Sequence, residues 1–155
     1  MSLKRNRSCT RLSTDEEFFP VSLDEPLRCL NLADVRRMLT PVLGDATGIF
    51  SLSFMVMTVC NTVDVLATAV SLMENAIQKK TFQAIFDKFG HVAVVVYCQL
   101  ASKWDDDARV GHMHDVPSCW MTNGMVATLV NCSTAHFNLV EFEALQSINF
   151  EFPIV

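Results

Sequence analysis

Residues 48–60, GIFSLSFMVMTVC, decide how this chain is to be read. Phe50, Leu52, Phe54 and Val56 fall on one face of an extended segment, with Ser51, Ser53, Met55 and Met57 on the other. That period of two predicts a strand over 49–59 with one buried and one mixed face. Asn61 or Thr62 then caps a helix with Asp64 in its first turn, where the helix dipole favours a carboxylate. Leu66, Ala69, Val70, Met73, Ala76 and Ile77 form its buried stripe. Lys79-Lys80 interrupts the stripe, Thr81 recaps it, and Phe82, Ile85, Phe86 and Phe89 resume it before Gly90 closes the helix. One kinked helix and two successive helices both fit. Val92 to Leu100 is a continuous valine-rich run, as in a central strand covered on both faces.

Upstream of this unit, Ser22-Leu23-Asp24-Glu25 has capping-box spacing ahead of Pro26. Asn31 opens a further helix whose Leu32, Val35, Met38 (or Leu39) and Val42 recur at helical spacing. Pro41 strains or ends that helix and Gly44 stops it. Downstream, residues 102–118 read as a long loop with three consecutive aspartates. Trp120 to Cys132 is a third strand candidate, bulged at Gly124. His136–Phe142 and Ile148–Ile154 complete a last pair, with Pro153 marking a sheet edge. The fold class expected is α+β: a single domain over residues 21–155, with a central helical region on a mostly antiparallel sheet, preceded by a flexible basic arm over 1–20.

A chain of 155 residues, half of them apolar and 19% charged, has ample material for a core. The net charge of −5 argues against the whole surface being a nucleic-acid or anionic-membrane binder, and sequence-specific nucleic-acid binding is not expected. The charge is uneven. Lys4, Arg5, Arg7 and Arg11 stand in the first eleven residues without an acid. Such an arm suits phosphate or anionic lipid headgroups, or the acidic end of a neighbouring copy. From His91 onward only Lys103 and Arg109 face seven acids.

Six cysteines and no opening secretory signal point to an intracellular, reducing compartment without a disulfide framework. Cys60 and Cys98 read as buried thiols acting as small hydrophobes. Ile49–Met73 carries a single charge, Asp64, but Asn61, Thr62 and that carboxylate sit near its middle. A buried strand and helix fit it better than a bilayer span, so no transmembrane helix is expected.

No catalytic residue set and no glycine-rich phosphate loop emerges, so the chain reads as a non-enzyme. One group has metal-ligand chemistry: His112, His114, Cys119, Cys132 and His136 offer the imidazole and thiolate donors of zinc sites, with the last two offset by four residues. Its spacing matches no common finger, and the competing reading is two surface histidines and two buried thiols. No cofactor is expected apart from that zinc alternative.

Thr58-Val59, Asp64-Val65, Ala67, Ala69-Val70-Ser71, Lys79-Lys80-Thr81-Phe82, Ile85 and Gly90 resemble, in order and type, the core of rhabdovirus matrix proteins of the vesiculovirus kind. The resemblance spans residues 48–92. It implies an α+β fold and a basic N-terminal arm matched here by Lys4, Arg5, Arg7 and Arg11. It also implies a structural virion protein that self-associates and bridges the nucleocapsid to the inner, anionic face of the envelope. Three departures are plain: the family is usually basic overall where this chain is acidic, the arm is shorter, and it has no Pro-Pro-x-Tyr motif. Two other functions compete, an intracellular viral accessory or adaptor protein that binds a host factor, and a small zinc-binding module.

Overall fold

The structure, a computed structural model, describes residues 30–45, 50–108 and 121–152. These contain seven helices and no strand: α1 (Leu32–Leu43), α2 (Phe50–Cys60), α3 (Val63–Gln78), α4 (Phe82–Phe89), α5 (His91–Ala108), α6 (Asn123–Leu129) and α7 (Thr134–Ser147). The expected α+β fold, with an antiparallel sheet, is therefore overturned. So is the fold implied by the matrix-protein resemblance. The arm over residues 1–20, the Ser22–Pro26 capping box and residues 109–118 of the expected loop lie outside the described residues.

The centre of the molecule is α5. Every residue from Ala93 to Ser102 is buried, because α2, α3, α4 and α7 all pack against it. A helix enclosed on all sides needs apolar side chains all round, and so does a strand covered on both faces. The valine run of 92–100 satisfies both descriptions, and periodicity alone does not separate them. The α5 helix then continues through Lys103 and the first aspartates to Ala108, where a loop was expected.

The 49–59 strand is corrected for a related reason. In α2 the buried residues are Leu52, Ser53, Val56, Val59 and Cys60, which recur at three- and four-residue steps and include residues from both faces of the expected strand. The alternating pattern placed Phe54 on the same face as Leu52 and Val56, yet Phe54 is 53% exposed. Eight of the eleven residues of α2 are apolar, so a period of two can be drawn through it as easily as one of 3.6. Trp120–Cys132 likewise yields α6, with Gly124 in its first turn instead of a bulge. The 136–142 strand lies inside α7. Residues 148–150 form a turn, not a sheet edge.

The helical expectations fare better. Asn31 caps α1, its side chain accepting from Asp34 N at 2.9 Å. Gly44 follows α1 at φ 58°, and Pro41 sits in the last turn, where the helix survives it by only two residues. Thr62 caps α3, accepting from Val65 N at 3.3 Å. The two-helix alternative is the one adopted at Lys79-Lys80. The buried face of α3 is turned slightly from the expected stripe: Val65 and Leu72 are buried, while Ile77 is 43% exposed.

Three helices end in the same way. After α3, Lys80 N–H donates to Ile77 O at 3.0 Å and Thr81 N–H to Ala76 O at 2.9 Å. The same pair of bonds closes α6 (Asn131 to Thr128, Cys132 to Ala127) and α7 (Asn149 to Gln146, Phe150 to Leu145). This is the Schellman closure, which needs left-handed backbone at the residue beyond the cap. Lys80, Asn131 and Asn149 supply it at φ 63°, 60° and 54°.

Candidate functional site

The sequence-predicted site residues divide sharply. Lys4, Arg5, Arg7, Arg11, His112, His114 and Cys119 lie outside the described residues. Cys132 and His136 are described and flank the α6–α7 turn. Cys132 is half-buried, and burial raises its thiol pKa. His136 is exposed in the first turn of α7, where its N–H donates to the Ser133 hydroxyl and its ring meets Phe89 edge-on at 5.6 Å. Among the described residues, no three His, Cys, Asp or Glu side chains converge into a metal-binding group.

Two other cysteines do come together. Cys60 ends α2 and Cys98 lies on α5, both wholly buried, and their thiols hydrogen-bond. The neighbouring Ser102 hydroxyl, one turn along α5 from Cys98, reaches Val59 O at 3.5 Å. Burial, then the Cys98 hydrogen bond, pushes the Cys60 pKa well up. A neutral, enclosed thiol is a poor nucleophile, so this pair is packing material.

Around α7 the polar groups are tied inward. Glu141 is the junction: it accepts from Lys103 on α5 at 2.6 Å and from Asn123 on α6 at 3.0 Å. Asn123 in turn accepts from the buried Gln99 at 3.2 Å. Glu143 pairs with Lys88 at 3.2 Å and Glu151 with Lys79 at 3.4 Å. These bonds fix α7 against α4, α5 and α6, and they leave its outer face uncharged.

That outer face carries Ala135, Leu139, Phe142 and Gln146, all exposed and spaced at four, three and four residues, so they form one stripe along the helix. Leu139 and Phe142 are each 51% exposed. Phe150 joins them from the turn beyond α7, its ring 6.1 Å from that of Phe142 and 56% exposed. Its backbone stands at φ 58°. For a bulky residue that is an outlier costing about 1–3 kcal/mol, the kind of strain that concentrates at functional positions. Half-exposed rings of roughly 150–250 Å² each, with the leucine, leave roughly 300 Å² of apolar surface open, a patch of the size that is often functional on a monomer.

A shallow cleft of about 380 Å³ runs along the seam of α5 and α7, lined by Leu100, Lys103, Trp104, Glu141, Leu145 and Phe152. Trp104 stacks on Phe152 with ring centroids 5.0 Å apart. Its indole Nε1–H is buried and has no acceptor among the described residues.

None of Trp104, Leu139, Phe142 or Phe150 was singled out from the sequence as a site. The signal for the stripe was present as apolar residues at positions 135, 139 and 142, and it was obscured by reading 136–142 as extended. No family model, curated protein or solved structure matches the chain.

Proposed function

We propose that this protein acts by binding other protein chains, a second copy of itself among them, and not by catalysis. The observation that carries this reading is the uncharged stripe of α7, continued by Phe150 on a strained backbone. A fold that pairs Glu141, Glu143 and Glu151 with lysines of its own chain and holds an aromatic ring outward at a conformational cost is arranged for an apolar contact. Self-association of this kind is what a structural, matrix-type protein requires. The finer form of that reading, a bridge between nucleocapsid and anionic membrane through Lys4, Arg5, Arg7 and Arg11, draws support only from the charge of those four residues. Sedimentation velocity of the purified full chain over a range of concentrations tests the proposal. A sedimentation coefficient that rises with concentration supports it, and a constant monomeric value counts against it.

The cleft favours a second reading, an adaptor for a host factor. Its apolar walls and the unpaired Trp104 indole suit one large apolar side chain on a partner helix that also brings a hydrogen-bond acceptor. Titration with amphipathic helical peptides, followed by the indole N–H resonance of Trp104, tests it. The assignment comes from the signal lost in Trp104→Phe, and a resonance unmoved by every peptide counts against this reading.

A further inference from the structure

We propose that α7 pairs with α7 of a second copy, antiparallel across a two-fold axis that passes beside Leu139. The proposal rests on the self-association reading above and specifies the geometry that reading leaves open.

Two features select a second copy as the occupant, and a third sets how firmly it is held. The first is charge. An isologous interface sets each residue near the axis against its own copy, which a charged stripe would not tolerate. The outward residues here are uncharged, and the flanking Glu141, Glu143 and Glu151 are each already paired with a lysine of the same chain. The second is shape. The stripe is small at one end (Ala135) and large at the other (Phe142), with Leu139 between them. Antiparallel apposition about Leu139 brings Phe142 of each copy over the gap beside Ala135 of the other, a knob entering a hole. Parallel apposition would stack the two phenylalanines and leave a void over the alanines. The third is area. Roughly 300 Å² of apolar stripe per copy is well below the ~800 Å² a standard stable interface buries on each side. The contact therefore suits a reversible dimer whose population depends on concentration, and not an obligate one.

The test uses the full chain under reducing conditions, by sedimentation equilibrium. Wild type is expected to move from monomer to dimer with increasing concentration. Leu139→Lys sets two ammonium groups beside the axis and is expected to weaken the dimer by at least about tenfold. Leu139 is half-exposed, so helical circular dichroism and the melting temperature should be retained. Ala135→Glu and Phe142→Lys should each weaken dimerisation, and the double variant should recover part of it, because the antiparallel pairing brings the new charges together between copies. In a separate oxidised sample, Leu139→Cys should give a covalent dimer whose linkage maps to position 139 in both chains.

A wild type that is monomeric at all concentrations overturns both the pairing and the self-association reading. A dimer that survives Leu139→Lys and forms no 139–139 linkage overturns the pairing alone. If residues 1–29 protect α7 amides from exchange in a monomer, and their deletion removes that protection, the stripe belongs to that segment and the pairing is overturned.

Discussion

The Tyr97 hydroxyl, midway along α5, lies 2.7 Å from the Ser147 hydroxyl at the last residue of α7. Ser147 Oγ also donates back to Ala144 O, and Ser147 O lies 2.8 Å from the Thr81 hydroxyl, which sits 3.1 Å from Ala76 O as well. One buried serine thus joins the end of α3, the start of α4, the middle of α5 and the end of α7. The residues that frame the candidate binding face are positioned through this junction.

Tyr97→Phe removes one partner of a buried hydrogen bond but leaves Ser147 bonded to Ala144. The expected loss is about 1 kcal/mol. Thr81→Val removes the one hydroxyl shared by two carbonyls and should cost more, about 1–2 kcal/mol. Urea denaturation of both variants checks the order.

Stability should fall in alkali. Burial raises the pKa of Tyr97, more than the Ser147 hydrogen bond lowers it, and burial with the Cys98 contact raises that of Cys60. Above the ordinary pKa of each group the unfolded chain has lost a proton that the folded chain keeps. The folded state then binds more protons, so stability declines with rising pH. The decline should begin near the ordinary thiol pKa of about 8.5 and steepen past the ordinary phenol value of about 10. Melting temperatures across that range should show it, and Tyr97→Phe should flatten the upper part.

Glu141 and Glu151 are both ion-paired, but their side chains are 16% and 66% exposed. Glu141→Ala strands Lys103 and leaves Asn123 short of an acceptor at a half-buried junction. A loss of about 2–3 kcal/mol is expected. Glu151→Ala breaks an exposed pair and should cost at most about 1 kcal/mol. Equal losses in chemical denaturation would refute the network.

Lys80→Gly should stabilise the protein by a few tenths to about 1 kcal/mol, since glycine enters the left-handed backbone after α3 without penalty. Lys80 is exposed, so little packing is lost. Thermal melts at neutral pH measure the gain; a clear loss would contradict the closure described for α3.

Alkylation kinetics separate the thiols. Cys132 is half-buried and should be modified in the folded protein, whereas Cys60 and Cys98 should react only as fast as the core opens. Peptide mass spectrometry with and without denaturant distinguishes them. Prompt labelling of Cys60 in native buffer would be incompatible with its enclosure.

The parts of the fold that were legible are those with local punctuation. Asn31, Gly44, Thr62, Lys79-Lys80 and Gly90 mark helix ends by caps and breakers whose chemistry acts within a few residues, and α1, α3 and α4 follow from them. The parts that were not legible, α2, α5, α6 and α7, carry apolar residues on more than one side. In α5 this is because it is enclosed, and in α7 because Leu139 and Phe142 stand among the polar residues of its exposed side. Both blur the polar face on which the helical period is normally seen. The candidate site was hidden for the same reason. An exposed Leu139 or Phe142 differs from a core residue only in which neighbours cover it, and that is a property of the assembled bundle. The cysteine pair shows the complementary limit: Cys60 and Cys98 were read correctly as buried, but their adjacency depends on how α2 crosses α5.

The enclosure of α5 has a further consequence for biosynthesis. Its ten consecutive sequestered residues depend on α7, which is complete only at Ser147. During translation α2, α3 and α4 precede this segment, but the side that α7 closes stays open for roughly 45 further positions, an apolar face suited to chaperones or to aggregation. A stop codon placed just before Thr134 should therefore yield not a smaller working protein but an insoluble one.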